Sequence, residues 1–288
     1  MLWFVLALTS AFTGASSDAL TKRCFTHLNA YEMGLVRLLY ALPFLAALVF
    51  SVTWPPLPPR FFALIALMYP LEALGLVLYM RAIAISPLSL TLPFLAFTPA
   101  FMIATGLIFL GELPNLPGAA GIALIVAGSY ALNLDTSRLG WLEPFRAIGR
   151  ERGSLLMLAV AFIYSVTSAL GKVAIQMTEP AFFGAFYPAL LAALLCVVYP
   201  LAGKASLPRL FQRPRLGLLL GVVYAGMFVS HALAISLVNA AYMIAVKRTS
   251  LLFGVAYGGV LFGEERILQR LCGAGLMVAG VVMIALLG

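Results

Sequence analysis

The stretch AFTGASSDALTK, residues 11–22, has a counterpart near the middle of the chain, AFIYSVTSALGK at residues 161–172. The two segments align without a gap and share Ala, Phe, Ala, Leu and Lys at equivalent positions. Both lie in apolar runs, where composition alone inflates similarity, so one match decides little. Further matches in the same order would indicate that the chain contains a duplication.

Two further pairs of segments do follow in that order. RAIAIS at 81–86 matches HALAIS at 231–236. LGELPNLPGAAGIALIVAG at 110–128 matches FGEERILQRLCGAGLMVAG at 262–280, with eight identities in nineteen positions. Three matches in one order indicate that the two halves of the chain are related.

The composition excludes a water-soluble protein. Of the 288 residues, 63% are hydrophobic and 10% are charged, whereas soluble domains carry about 25% charged residues. The formal net charge of +8 would favour a nucleic-acid partner in a soluble protein. Here the basic residues fall mostly between the apolar runs, so we expect the lipid bilayer, and no nucleic acid, as the partner.

Few residue groups in the sequence could support catalysis or metal binding. Cys24, Cys196 and Cys272 are far apart and form no CxxC pair, and the two histidines, His27 and His231, are also widely separated. The sequence has no Gly-rich phosphate loop and no catalytic-triad pattern. We therefore expect no enzyme activity, no metal site and no cofactor.

Ten apolar runs are long enough to cross a membrane, since a helix needs about 20 apolar residues to span the roughly 30 Å hydrocarbon layer. Backbone groups in lipid must bond within their own segment, and the runs lack the alternation of a barrel strand, so each run is predicted to be a helix. The first run is interpreted as a retained helix, because its counterpart lies in mid-chain. The predicted spans one to ten cover about residues 2–20, 33–52, 61–80, 88–110, 116–134, 154–174, 181–202, 216–236, 239–262 and 268–287.

The predicted fold is an all-α integral membrane protein with ten transmembrane helices in two inverted five-helix repeats. The first repeat covers residues 1–134 and the second 154–288, joined by a polar linker at 135–153. Because each repeat has an odd number of spans, the second repeat enters the membrane in the opposite sense. Inverted repeats are common in secondary transporters, whose substrates bind near the midplane between the halves.

Several motifs resemble those of a known family. An alanine-rich helix end precedes a proline-bearing helix in RAIAISPLSLTLPFLAFTPAF, residues 81–101, and a Gly-Glu motif is repeated as Gly111-Glu112 and Gly263-Glu264. With the two five-helix halves, these motifs resemble the drug/metabolite transporter (DMT) superfamily, in particular its EamA-like ten-helix branch. The resemblance implies a central cavity lined chiefly by spans one to four and six to nine, with spans five and ten at the periphery. The repetition of the Gly-Glu motif suggests a role in architecture rather than in substrate binding.

The segment AVKR, residues 245–248, places two cations near the middle of span nine. A charge at this depth costs several kcal/mol and normally faces a cavity or a partner. Lys247 and Arg248 point about 100° apart, so they could flank one cavity or face different neighbours. They also resemble the paired basic residues of the triose-phosphate and nucleotide-sugar branches, where the pair is associated with phosphate binding. As a structural alternative, the two cations would form buried ion pairs with Glu72 and Asp18.

Other polar residues in the spans are substrate candidates or structural elements. Glu72 in span three and Arg37 in span two are predicted to contact substrate or to pair with each other, and Glu72 could also exchange protons. Tyr242 could stack on a substrate or form a hydrogen bond with it. Asp18 is assigned an interfacial role near the end of span one, and His231 a helix-terminal hydrogen bond. Glycines of the last two spans are expected to permit close helix packing: Gly254, Gly258, Gly273, Gly275 and Gly280.

Cations outnumber carboxylates among the deep residues. The deep cations are Arg37, Lys247 and Arg248, and the deep carboxylate is Glu72. A cavity with a net positive charge favours a carboxylate or phosphate on the substrate. We expect a secondary-active carrier of a small polar metabolite such as an amino acid or organic anion. It would act by alternating access as an exporter or exchanger, with protons or a counter-substrate as coupling partner.

Three alternatives stay open. The chain could carry phosphorylated metabolites or nucleotide sugars by means of the Lys247-Arg248 pair. It could be a non-transporting scaffold, although a scaffold would not need charges in mid-span. It could be an intramembrane enzyme, although the sequence shows neither a nucleophile with its base nor a metal cluster at one depth.

Basic residues are concentrated in the loops that follow odd-numbered spans, whereas loops after even-numbered spans offer little beyond Arg60. The positive-inside rule then places the odd loops in the cytoplasm and both termini outside. Ten-helix members of the superfamily that the chain resembles are generally drawn with both termini in the cytosol, so the two arguments disagree. We follow the charge count and expect the plasma (inner) membrane of a prokaryote as the location.

Overall fold

The computed structural model describes residues 1–86, 91–131, 152–262 and 271–288. In these residues every regular element is helical, so the predicted all-α architecture is confirmed for them. The helices are α1 (Leu2–Cys24), α2 (Ala30–Ser51), α3 (Pro59–Ile85), a 3₁₀ helix (Leu92–Phe97), α4 (Thr98–Leu110), α5 (Leu116–Ala131), α6 (Arg152–Gln176), α7 (Pro180–Leu201), a one-turn helix (Leu207–Leu210), α8 (Pro214–Ser236), α9 (Ala240–Lys247), α10 (Ser250–Phe262) and α11 (Leu271–Leu287).

Two of the sequence predictions concern residues outside these described ranges. Most of the polar linker predicted at 135–153 lies outside the described residues, and so do Gly263 and Glu264 of the second Gly-Glu motif.

Five of the described helices, α2, α3, α6, α7 and α8, are long and apolar enough to cross a membrane. Shorter apolar helices cover Phe94–Leu110, Leu116–Ala131 and Gly273–Leu287. Large apolar side chains on the outer faces, such as Phe12, Phe62 and Leu67, are exposed. Such surface is expected where lipid, rather than protein, covers a helix. The total of ten spans stays a prediction.

Spans four and nine, which the sequence predicts as single helices, are each interrupted. In the described part of span four, a 3₁₀ helix (Leu92–Phe97) precedes an α-helix that begins at Thr98, just before Pro99, whose missing N–H suits the first turn of a helix. Span nine is divided into α9 and α10 by a turn at Arg248 and Thr249. The amides of both residues bond to carbonyl oxygens three positions back. Tight turns of this kind inside a helix often mark a functional hinge.

The helices pair across the two halves in a symmetric pattern. Helix α1 packs on α8, and α6 packs on α3. These two pairs are equivalent, because α6 is the counterpart of α1 and α8 is the counterpart of α3 in the other half. Helices α2 and α7 pack on each other, as do α5 and α11. Such a pattern is expected of two related five-helix units that enclose a shared interior.

Glycines bring α5 and α11 into close contact. A Cβ added to Gly280 would lie 2.5 Å from the carbonyl oxygen of Gly121, and one added to Gly128 would lie 2.6 Å from that of Gly273. The order of these contacts shows that α5 and α11 run antiparallel, as an inverted repeat requires of equivalent helices. Gly275, also expected to serve packing, would meet no described atom within 4 Å of an added Cβ, so that expectation is wrong.

One group of loop contacts joins the segments after odd-numbered spans. The Nδ2 of Asn29 donates to the carbonyl oxygen of Lys204 at 3.1 Å, and the guanidinium of Arg209 donates to the carbonyl oxygen of His27 at 2.9 Å. The buried carboxylate of Glu32 also lies 3.0 Å from Nη1 of Arg209. The α1–α2 and α7–α8 connections therefore lie at the same end of the bundle.

A second group joins the segments after even-numbered spans. The Nδ2 of Asn115, after α4, donates to the carbonyl oxygen of Leu287 at 2.8 Å. The carboxylate of Glu112 accepts from the N–H of Ala240 at 2.8 Å. Odd loops thus contact odd loops and even loops contact even loops, which is the grouping that successive membrane crossings produce.

Candidate functional site

A cavity of about 160 Å³ lies within the bundle. One buried water needs roughly 10–15 Å³, so the cavity has room for a small metabolite. Among the described helices, its walls come from α1, α2, α3, the 3₁₀ helix and α6 to α10, and neither α5 nor α11 contributes. This lining agrees with the one that the family resemblance implies.

Lys247 lines the cavity from the last turn of α9. Its Nζ lies 3.0 Å from Nδ1 of His231 and 3.3 Å from Sδ of Met227. His231 also lines the cavity, so its predicted helix-terminal hydrogen bond is replaced by this contact with Lys247. In the described part of the chain, no carboxylate lies within 4.0 Å of the lysine.

Arg248 lines the cavity at the interruption of span nine. Its Nη2 donates to Oγ1 of Thr98 at 2.9 Å, and Thr98 in turn donates to the carbonyl oxygen of Leu95 at 2.7 Å. The Nε of Arg248 is buried without a hydrogen-bond partner among the described atoms. No described carboxylate lies within 4.0 Å of the guanidinium, so donors are left over for a ligand.

Asp18 and Arg37 form an ion pair in the cavity wall. Nη2 of Arg37 lies 2.9 Å from Oδ1 of Asp18, and Nε of Arg37 donates to Oγ1 of Thr21 at 2.8 Å. The Tyr79 hydroxyl donates to Oδ2 of Asp18 at 2.6 Å. The guanidinium also lies 5.8 Å from the ring centroid of Tyr79 and 5.6 Å from that of Tyr224. Both charges therefore have partners supplied by the protein.

This pair corrects three predictions. Asp18 is part of the cavity wall rather than an interfacial residue, because α1 continues to Cys24 and places Asp18 deeper than the predicted span end does. Arg37 pairs with Asp18 and not with Glu72. Asp18 is also not the buried counter-ion of Lys247 or Arg248 that the structural alternative requires.

Glu72 lines the cavity from α3 and is half-buried. Thr167 of α6 lines the same cavity. No described cation comes within 4.0 Å of the Glu72 carboxylate. Glu72 and the two cations of span nine thus face one cavity without forming an ion pair.

Aromatic side chains form much of the wall. The ring centroids of Tyr79 and Tyr164 are 6.3 Å apart, and Phe183 stacks on Tyr187 at 5.2 Å. The hydroxyl of Tyr187 is buried without a hydrogen-bond partner among the described atoms. The lining aromatic residues are Tyr79, Tyr164, Phe183, Tyr187, Tyr224 and Phe228.

Tyr242 is not among the residues that line this cavity, and its contact with substrate stays a prediction. Its hydroxyl donates to Oδ1 of Asn115 at 2.9 Å and accepts from the N–H of Asn115 at 2.8 Å. Oδ1 of Asn115 also accepts from the N–H of Gly118 in the first turn of α5. The hydroxyl is therefore used in holding the start of α5 against α9.

Glu112 connects the two halves at the start of α9. Its carboxylate pairs with Lys172 and accepts a hydrogen bond from the N–H of Ala240, the first residue of α9. Lys172 also donates to the carbonyl oxygen of Val238 at 2.7 Å. Gly111, just before Glu112, has a φ of 67°, a left-handed conformation that favours glycine and ends α4. These contacts support the helix that carries the cavity cations.

Thr98 is a site residue that the sequence reasoning missed. The repeat offered one signal: when the match of 81–86 with 231–236 is extended without a gap, Thr98 aligns with Arg248. The hydrogen bond itself joins residues 150 positions apart, so no local sequence pattern predicts it.

Comparison with known proteins decides the family. The model of the EamA-like transporter family matches residues 1–134 and again residues 151–286. The chain belongs to the EamA-like transporter family. No curated protein matches its sequence. A solved structure titled "Crystal structure of protein" shares 15% identity, covers 98% of this chain and 96% of its own, and superposes with a TM-score of 0.72. At that identity the likeness concerns the fold alone.

The family of this chain and its long apolar helices show that it is a multi-pass membrane protein of the DMT type. The family is one of transporters, and the same family model matches once in each half of the chain. The cavity cations therefore lie in the interior of a protein that belongs to a transporter family.

Proposed function

We propose that this EamA-like protein is a secondary-active carrier that moves a small polar metabolite, an amino acid or an organic anion, by alternating access. One observation carries the proposal. Lys247 and Arg248 line a cavity inside the bundle, and no described carboxylate lies within 4.0 Å of either. Cations at this depth normally face a partner or a substrate pathway, and their charge favours an anionic group on the ligand.

The interrupted spans support a carrier mechanism. In many secondary transporters the substrate site is formed by discontinuous helices at the interface of two repeats. Here the turn in span nine at Arg248 and the start of α4 at Thr98 meet beside the cavity. A site at the junction of two half-units can face either side of the membrane as those units move.

The loop contacts support one common side for the odd-numbered loops, and the basic residues of those loops favour the cytoplasm for that side. Both termini would then be outside, in the plasma membrane of a prokaryote. Export or exchange, with protons or a counter-substrate as the driving partner, is the direction we propose.

A carrier of phosphorylated metabolites or nucleotide sugars is the second candidate. It is favoured by the presence of both Lys247 and Arg248 at the cavity wall. The carboxylate of Glu72 in the same cavity counts against it, because a phosphate dianion would be repelled more strongly than a single carboxylate.

The test is reconstitution of the full chain in liposomes, with a screen of amino acids, organic acids and phosphorylated sugars for saturable uptake or exchange. We expect saturable transport of at least one anion-bearing compound, lost in the charge-reversed variants Lys247→Glu and Arg248→Glu. Arg60→Glu, at an exposed position outside the cavity, is the matched control. Absence of transport for every compound, or unchanged transport in both cavity variants, would overturn the proposal.

A further inference from the structure

We infer that the lipid-facing start of α8 binds the headgroup of an anionic phospholipid. Arg215 would contact the lipid phosphate, and an acyl chain would follow the exposed apolar side chains that lie below Arg215 on the same helix. This surface is on the outside of the bundle, away from the cavity, so the inference does not depend on what the protein carries.

Positive charge is concentrated at the end of the bundle where the α1–α2 and α7–α8 connections meet. The one carboxylate of segments 22–32 and 201–215, that of Glu32, is buried and already accepts from Asn29, Ser206 and Arg209. The same two segments contain six cations: Lys22, Arg23, Lys204, Arg209, Arg213 and Arg215. This excess of cations attracts anionic groups to the end of the bundle.

Arg215 differs from the neighbouring arginines because it forms no hydrogen bond or ion pair with a described residue. Arg209 and Arg213, in contrast, donate to the carbonyl oxygens of His27 and Cys24. Arg215 is exposed in the first turn of α8. Its guanidinium is therefore available to a phosphate, with which arginine forms strong and often bidentate hydrogen bonds.

The face of α8 that carries Arg215 is apolar over the next two turns. Leu218, Leu219 and Val222 follow Arg215 by three, four and seven positions, which is the spacing of one helix face. These three side chains are 47%, 50% and 49% exposed, whereas Leu220 on the protein-facing side is fully buried. A cation above a lipid-facing apolar strip matches the two parts of an anionic phospholipid, its headgroup and its acyl chain.

Comparison with the repeat counterpart of α8 indicates that the architecture does not require these cations. Helices α3 and α8 both begin at a proline, Pro59 and Pro214. Arg60 is the cation that follows Pro59, whereas Arg213 and Arg215 flank Pro214. Cations at the start of a helix oppose the helix dipole, so the two arginines do not stabilise α8 by themselves. A bound phosphate would offset this unfavourable charge.

The experiment places a fluorescent label on this face and measures its quenching by nitroxide-labelled lipids in nanodiscs. The full chain with Cys24→Ser, Cys196→Ser and Cys272→Ser carries bimane on Leu218→Cys, or on Phe62→Cys as the matched position. Both native side chains are exposed and lie about one turn from the start of their helices. Phosphatidylglycerol, an anionic lipid, is compared with phosphatidylcholine that carries the same nitroxide on the same acyl chain.

We expect a preference for phosphatidylglycerol at position 218. Half-maximal quenching there should need about a ten-fold lower mole fraction of phosphatidylglycerol than of phosphatidylcholine, because two nearby cations each strengthen the attraction several-fold. At position 62, beside Arg60 alone, the preference should be about three-fold or less.

Two variants assign the preference to a residue. Arg215→Gln should lower the preference at position 218 to about three-fold or less, because the remaining Arg213 donates to Cys24. Arg60→Gln, the same kind of change at the start of α3, should leave the preference at position 218 unchanged. The comparison of the two lipids at the two labelled positions does not depend on either variant folding.

Equal quenching by the two lipids at position 218 would overturn the inference. So would an equal preference at both labelled positions, or a preference that Arg215→Gln leaves intact. Absence of quenching by either lipid would also overturn it, because another copy of the chain, rather than lipid, would then cover this face. Loss of the preference in inorganic phosphate, but not in chloride of the same ionic strength, would show that the site binds free phosphate instead. None of these results affects the proposed carrier function, which the liposome screen tests.

Discussion

The guanidinium of Arg248 donates to the hydroxyl of Thr98 at 2.9 Å, and this single hydrogen bond joins the interruptions of two repeat-related spans. Thr98 begins α4 in the first half, and Arg248 follows α9 in the second. Because Arg248 also lines the cavity and has a buried Nε without a partner among the described atoms, an anion could bind the same guanidinium that joins the two halves. Ligand binding and the contact between the two halves would then be coupled.

Replacement of Thr98 tests this coupling. Thr98→Val keeps the side-chain shape but removes the acceptor of a buried guanidinium, which costs about 1–3 kcal/mol. We expect a lower midpoint of thermal unfolding in detergent. We also expect faster net uptake into empty liposomes relative to exchange into preloaded ones, since the unliganded halves would be held less firmly.

Thr98→Ser is the matched control, because it retains the hydroxyl that accepts from Arg248 and donates to Leu95. It should behave like the unaltered chain in both measurements. Equal behaviour of the Val and Ser variants would show that the hydrogen bond does not couple the halves.

The Asp18–Arg37 pair should prove structural. Asp18→Asn leaves a buried guanidinium without its counter-ion, which typically costs about 3–5 kcal/mol. The double variant Asp18→Asn with Arg37→Gln should lose less than the sum of the two single variants, since residues in contact are not additive. Thermal unfolding of the three variants measures this interaction energy, and additive losses would contradict it.

Close packing of α5 on α11 predicts different outcomes for two neighbouring glycines. Gly280→Ala would place a Cβ 2.5 Å from the carbonyl oxygen of Gly121, so we expect a loss of about 1–3 kcal/mol from overpacking. Gly275→Ala meets no described atom within 4 Å and should be neutral or slightly stabilising, because alanine favours a helix over glycine. The midpoints of thermal unfolding of both variants test this difference. A similar decrease in both midpoints would contradict the close packing of α5 on α11.

The contact between Glu32 and Arg209 should keep one end of the bundle closed. The carboxylate of Glu32 accepts from the N–H groups of Asn29 and Ser206 as well as from Arg209. Arg213 donates to the carbonyl oxygen of the buried Cys24 at the same end. The segment that contains both arginines therefore covers the end of α1.

Arg209→Ala should expose this end more often. In a chain with Cys196→Ser and Cys272→Ser, we expect Cys24 to react several-fold faster with a maleimide reagent than it does without the arginine change. Arg215→Ala, at an exposed position in the next helix, is the control and should leave the rate unchanged. A rate that does not respond to Arg209→Ala would show that the ion pair does not hold this end closed.

The large-scale predictions followed from the composition and from the length of the apolar runs. The 63% hydrophobic content and the long apolar runs predict helices in lipid because hydropathy and backbone satisfaction are properties of each segment by itself. The repeat could be recognised for the same reason, since it compares one segment with another and needs no coordinates. Lys247 and Arg248 could be singled out because their depth in an apolar run is already visible along the chain.

The partner of each charge could not be predicted, because partners come from distant segments. Arg37 lies 19 residues from Asp18, Tyr242 lies 127 from Asn115, and Arg248 lies 150 from Thr98. Which side chains meet depends on where helices cross and on where spans four and nine are interrupted. The sequence by itself therefore determined a duplicated helical membrane protein with cations in its interior. Only the tertiary structure decided which of those charges the protein neutralises and which it leaves for a ligand, because charge pairing depends on distance in space.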